Sequence, residues 1–193
     1  MTEGMQPAAP ALVNWSRIAR RIRVPLSFLF AIAYLWFARP TWDSLLAGSL
    51  LLLPGLLLRG LASGHVQKDR QLTTSGPYAY TRNPLYLGSL IMAAGFVVAA
   101  QNPWILVMLF VLFAVIYVPV IAGEERYLRQ TFPEYEDYAR HVPRLTTRFT
   151  PYGNQRGSFS AERYWKHREY QAILGCLAVL AILMLKLSIR ITW

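Results

Sequence analysis

Two stretches of this chain carry residue types that chemistry needs, and both border long apolar runs. GPYAYTRNPLYLG (76–88) sets three tyrosines, Arg82 and Asn83 among turn-forming Gly76, Pro77, Pro84 and Gly88. GEERYLRQTFPEYEDYARHVPRL (123–145) opens on Glu124 and Glu125 and ends near Arg144. Arg82 is suited to grip a carboxylate through two parallel hydrogen bonds. Tyr78 and Tyr80 offer aromatic faces to a flat ring or a cation. Adjacent glutamates on a helix point about 100° apart, so at most one of them faces any given site. One is expected to pair with Arg82 or bind ligand hydroxyls, while the other meets water or a second arginine.

Each feature also has a plainer reading. Pro84 fits the first turn of a helix, where a missing N–H costs nothing, and Asn83 is then its natural N-cap, accepting from an orphan backbone donor. A capped helix start does not, however, need tyrosines at 78, 80 and 86 as well. The glutamate pair reads alternatively as a solvated interfacial pair beside Arg126 and Arg129. The stretch 126–141 reads as one or two amphipathic helices, with Tyr127, Leu128, Tyr135 and Tyr138 laid on the membrane interface. Arg144 is an anion-binding candidate or a side chain snorkelling to lipid phosphate. The aromatic and basic stretch 162–171 is expected to anchor a final span, with His167 structural. The three histidines, at 65, 141 and 167, lack metal-ligand spacing. Neither a Walker loop nor a dinucleotide glycine fingerprint is present.

The elements that must position these groups are membrane helices. Of 193 residues, 54% are hydrophobic and 16% charged, with a net charge of +10. That balance is too apolar for an ordinary soluble domain, and the basic residues lie between apolar runs, which favours a membrane over nucleic acid. The one cysteine, Cys176, excludes an intramolecular disulfide and reads as a small buried hydrophobe.

Five apolar stretches, at 24–38, 44–58, 85–100, 104–122 and 171–189, predict an all-α, polytopic bundle of about five spans. The short links 39–43 and 101–103 suggest helical hairpins between spans one and two and between three and four. Pro54 and Pro119 are expected to kink their helices. With the N-terminus inside, 17 of 20 basic residues fall on the inner side and only Arg39, Lys186 and Arg190 outside. The positive-inside rule therefore predicts a cytoplasmic N-terminus and polar blocks, with the C-terminus opposite. Residues 1–23 read as a tail and basic interfacial segment, with 1–11 disordered, and 24–193 as one domain. Within it, 59–148 holds the motifs, 150–160 is a flexible loop and 171–189 the last span.

Taken together the two motifs resemble those of isoprenylcysteine carboxyl methyltransferases and bacterial phospholipid N-methyltransferases. In that family the first motif reads G-x-Y-x-x-x-R-H-P-x-Y-x-G, and the second a Glu-Glu block leading to Val-Pro-Arg. The resemblance covers roughly 59–148. It implies S-adenosylmethionine bound in a pocket at the cytoplasmic ends of the membrane helices, with a lipidic or hydrophobic acceptor. Carried over, Gly76, Tyr78, Tyr80, Arg82, Asn83, Pro84 and Tyr86 belong to the cofactor pocket. Glu124 and Glu125 approach the cofactor or the reacting centre, and His65 loosely matches a family histidine ahead of the same turn. Arg82, Glu124 and Glu125 are the catalytic candidates. Arg144 and Tyr127 are candidates for the acceptor.

Two departures stand out. Asn83 replaces the family histidine and cannot act as a base, and Pro133 stands where glycine is usual. Methyl transfer from a sulfonium needs alignment and desolvation more than a strong base. A carboxylate acceptor needs no base, whereas an amine or thiol would have to lose a proton to Glu124, Glu125 or His65. Two other classes compete. One is an NADPH-dependent sterol-reductase-like enzyme, with Arg70, Arg144 and Arg148 for the 2′-phosphate. The other is a non-catalytic lipid-binding member of the fold.

Overall fold

The computed structural model describes residues 12–67, 71–154 and 157–189, which are helical with no strand among them. The tail 1–11, Arg70, Arg190 and part of the 150–160 loop lie outside the described residues. All five expected spans are helices. Helix α1 is Leu12–Phe37, α2 is Trp42–His65, and α3 is Pro84–Ala100. Helix α4 (Pro103–Leu112) runs through a π turn at Phe113–Tyr117 into α5 (Val118–Thr131). Short helices α6 (Tyr135–His141) and α7 (Ala161–Lys166) precede α8 (Tyr170–Ser188).

Three helices are long and apolar enough to cross a membrane, namely Trp42–His65, Pro103–Thr131 and Tyr170–Ser188; Val24–Phe37 and Pro84–Ala100 are shorter apolar helices. The segment 12–23, within the expected tail and basic interfacial segment, is the first half of α1. Its Ala19 is fully buried against Ile116 and Val120, which supplies the reason for its order. A kink is expected at Pro119, and a π turn lies directly ahead of it. Proline lacks the N–H for an i→i−4 bond, and the π turn lets the Val118 N–H reach Phe113 O instead.

The expected hairpin of spans one and two does not describe the packing. Helix α1 packs on α5 and the π turn, whereas α2 packs along the whole of α3. Glycine is the reason. A Cβ on Gly48 would lie 2.6 Å from Gly95 O, and one on Gly55 would lie 2.8 Å from Gly88 O. Close backbone contact through small residues is a principal way to join helices in lipid, where no hydrophobic drive exists.

The far end of the bundle gathers the end of α1, the starts of α2 and α4 and the ends of α3 and α8. There Tyr34, Ala38, Leu45, Ala99, Ala100, Ile105 and Leu183 form one apolar core. Lys186 of α8 donates to Leu35 O, Trp36 O and Ala38 O at 2.9–3.0 Å. It thereby satisfies carbonyls that the end of α1 leaves open. The opposite end carries both polar motifs.

Candidate active site

The site is framed by backbone pairing between the two motifs. After α2 the chain loops into a 3₁₀ turn at Gly76–Ala79, and residues 142–152 run beside it. Arg82 N–H donates to Pro143 O (2.9 Å), Arg148 N–H to Tyr80 O (3.0 Å) and Tyr152 N–H to Ala79 O (2.9 Å). Gly76 has φ +58°, and a Cβ there would fall 2.5 Å from the His65 ring. His65 in turn lies edge-on to Phe159, with its Nδ1 2.7 Å from Leu61 O. Gly76 and His65 are thus packed against one another to set the turn.

Behind the turn lies a buried carboxylate. The Glu125 side chain is 4% exposed, and Arg144 grips it with Nε at 3.0 Å and Nη2 at 2.6 Å. Arg82 Nη1 approaches it at 3.6 Å. Asn83 Nδ2 donates to Glu125 Oε1 (3.3 Å) and to Arg144 O (3.1 Å). Asn83 does occupy the N-cap position of α3, but its side chain makes no capping bond. The expected cap is corrected for a simple reason: Pro84 removes one backbone donor, and the amide N–H groups meet better acceptors in a buried carboxylate and a carbonyl. The hydrogen bond to Glu125 holds the Arg144 guanidinium protonated above its ordinary range.

In front of the turn is a cavity of about 570 Å³, within the range of small-molecule sites. Tyr78, Arg82, Asn83 and Pro84 line it from the first motif, joined by Tyr86, Glu124 and Tyr127. The paired glutamates face different ways, as their spacing predicts, but both arginines fall to one of them. Glu125 turns to the arginines, and Glu124 turns to the cavity, where Tyr86 Oη donates to its Oε1 at 3.0 Å. They lie within α5 rather than at the end of a span, because the helix continues to Thr131.

Tyr117 of the π turn stacks on Phe113 and meets Tyr86 edge-on at 6.0 Å, which closes the wall beside Glu124. Arg82 Nε is buried with no hydrogen-bond partner. Burial, with the Glu124 charge adding to it, pushes the Tyr78 phenol above its ordinary value. Tyr78 therefore remains a neutral O–H donor.

Several expected residues stand elsewhere. Tyr80 is 38% exposed, and only its carbonyl takes part in the frame described. Tyr135 and Tyr138, expected on the membrane interface, are instead 1% and 2% exposed. They pack with Val142 under Leu72, Leu128 and Phe132, because the loop and the 142–152 segment close over them. Tyr138 Oη donates to Tyr78 O at 2.7 Å. Arg148 spends its guanidinium on His141 O and Thr150 Oγ1.

The stretch 162–171 does more than anchor a span. Arg163 Nε donates to Gly64 O (2.8 Å) and His167 Nδ1 lies 3.0 Å from Ser63 O, closing the end of α2. Among the described residues no group of three or more His, Cys, Asp or Glu is gathered to hold a metal ion.

Sequence reasoning passed over Arg59 and Glu169. Arg59 lines the cavity from α2, and its Nε pairs with Glu169 Oε1 at the start of α8. The signal was present, since an arginine inside LLLPGLLLRGLASGH is costly in a membrane helix and calls for a partner.

The chain is 34% identical over 132 residues to the cobalt-zinc-cadmium resistance protein CzcN of Cupriavidus metallidurans, covering 64% of the chain and 61% of that protein. It is 33% identical over 84 residues to the nickel-cobalt-cadmium resistance protein NccN of Alcaligenes xylosoxydans xylosoxydans, covering 44% and 39%. The match thus spans less than two thirds of either relative's length. No solved structure matches the chain significantly. Residues 58–135 match the phospholipid methyltransferase family model, the region that holds the first motif, the paired glutamates and most of the cavity wall. Over that segment the chain is similar to the phospholipid methyltransferase family.

Proposed function

We propose that the chain is an integral membrane methyltransferase using S-adenosylmethionine, with a lipidic or hydrophobic acceptor. The acceptor reacts through a prenylcysteine-like carboxylate, a lipid amine or a thiol. The observation that carries this reading is the 570 Å³ cavity whose wall is built from the two family motifs.

The residues present fit the cofactor. Arg82, which lines the cavity, suits a carboxylate. Glu124 suits hydroxyl or ammonium donors, and the tyrosine faces suit a cation. When bound, the cofactor supplies a sulfonium methyl for in-line displacement. The chain's own contribution is to orient and to exclude water. Arg82 is held from behind by Glu125 and by its backbone bond to Pro143, so its guanidinium is set before any ligand arrives. Tyr86 fixes the Glu124 carboxylate in one orientation. Glu124 is the group placed to take a proton from an amine or thiol acceptor.

The charge distribution supports a cytoplasmic site and N-terminus, with the C-terminus opposite. An NADPH reading is less well supported, since Arg144 and Arg148 are committed to Glu125 and to His141 O and Thr150. Because both relatives are named for metal resistance, the acceptor is best sought among membrane components of metal-stressed cells.

Calorimetric titration of the detergent-solubilised protein with S-adenosylhomocysteine tests the reading. Saturable binding that Arg82→Ala and Glu124→Ala abolish is the expected result. A folded protein that binds none would remove it.

A further inference from the structure

The cavity has a second charged end. Arg59 stands six residues before the end of α2, roughly 9 Å inside the helix at 1.5 Å per residue. It is thus deeper in the bundle than Arg82, which precedes α3 at the mouth. An arginine at such depth is expensive unless it is paired and used. Its pairing is partial. Nε is taken by Glu169, and Nη1 donates to Ser89 Oγ (2.5 Å) and Leu85 O (3.4 Å). No described residue accepts from its two Nη2 donors, and the Arg59 side chain stays 24% exposed on the cavity wall. Tyr78 lines the same cavity as Arg59 and Glu124, and its raised phenol stays a neutral O–H there.

We propose that this deeper end, Arg59 with Tyr78, binds the anionic head group of the membrane amphiphile that accepts the methyl group. Glu169 acts as the positioning residue for Arg59. The proposal rests on the methyltransferase reading of the cavity. Its chemistry follows from the donors left open, which are a guanidinium edge and a phenol, a match for a phosphate or carboxylate. An amphiphile is favoured over a soluble anion because Arg59 lies within a spanning helix and the same wall carries Leu85, Pro84 and Tyr117. The site would also be incomplete without the fifth span. Glu169 lies beyond residue 135, where the family match ends, and α7 holds it in place by binding the last carbonyls of α2.

Glu169 opposes an anion by one charge while it orients Arg59, and this gives the test a sign. The full chain in neutral maltoside micelles is titrated with n-dodecyl phosphate, with inorganic phosphate and, separately, with S-adenosylhomocysteine. Arg59→Gln should bind dodecyl phosphate about tenfold more weakly, the loss of one charge-assisted pair. Arg59→Lys should recover part of that loss. Glu169→Gln should hold or gain affinity for the same probe. All three should bind S-adenosylhomocysteine like the parent, which also shows that they are folded. Unchanged dodecyl phosphate binding in Arg59→Gln overturns the proposal. So does a parallel fall of every ligand in both Arg59→Gln and Glu169→Gln, the mark of a purely structural ion pair. Equal affinity for inorganic phosphate overturns the amphiphile assignment. Dodecyl phosphate binding that depends on Arg59, in protein that ignores S-adenosylhomocysteine, would sink the cofactor reading and leave the anion site standing.

Discussion

The two ends of this bundle solve the same problem, closing helix termini in a membrane, by different means. At the far end an apolar core does the work, and Lys186 reaches across to three carbonyls of α1 and its link. No charge of opposite sign is recorded beside that ammonium among the described residues, and its partners are backbone dipoles. At the motif end, Glu125 is buried between Arg82 and Arg144, and the backbone of one motif is laced to the other. The far end is closed by shape. The motif end is closed by charge and leaves in front a cavity lined by Arg59, Tyr78, Arg82, Asn83 and Glu124. A helix bundle that needed only to span would have no use for the second arrangement.

The largest effect is expected from breaking the charged closure. Glu125→Ala leaves two arginines facing each other around an empty buried position and should destabilise the protein by about 3 kcal/mol, read as a lowered midpoint in thermal unfolding in detergent. A midpoint within experimental error of the parent would mean that the ion pairs contribute nothing to closure.

The closure by shape should be the next most sensitive. In Gly48→Leu the new side chain meets Gly95 O and the Ala99 Cβ, and overpacking the α2–α3 contact should cost about 2 kcal/mol by the same measurement. Lys186→Met removes three hydrogen bonds and should cost about 1 kcal/mol while leaving S-adenosylhomocysteine affinity unchanged. Affinity falling with Lys186→Met would show that the two ends are coupled, and the contrast drawn above would fail.

The smallest effect is one of pH. Burial raises the phenols of Tyr78 and Tyr138 above their ordinary value near 10, and an Asp137 hydrogen bond raises that of Tyr152. A raised folded value means that the folded state keeps the proton longer. The associated stability is intact below about pH 10 and is lost as pH climbs past it. Unfolding midpoints should therefore owe no slope to these tyrosines between pH 6 and 9 and should fall in more alkaline buffer. Tyr78→Phe should flatten part of that fall.

Much of the architecture was legible because apolar length is a one-dimensional signal. Helices lie where the apolar runs at 24–38, 44–58, 85–100, 104–122 and 171–189 place them. That at most one of Glu124 and Glu125 faces the cavity was legible too, as helical geometry separates adjacent side chains by about 100°; which one does was not. The buried faces of Tyr135 and Tyr138 were not legible. An aromatic residue on a short amphipathic helix looks interfacial until a loop from elsewhere in the chain covers it.

What the sequence determined by itself was the membrane bundle, the two motifs and the residues to suspect, all of which depend on composition and local spacing. The tertiary structure alone decided what those residues face. It turned Asn83 from a cap into a donor to Glu125, drew His65 and Gly76 together as a packing pair, and brought Glu169 to Arg59 across 110 positions of chain. Such pairings depend on which helices meet. Here that was set by glycines on α2 and α3 that let two backbones touch, a property of the surfaces in contact and not of either segment alone.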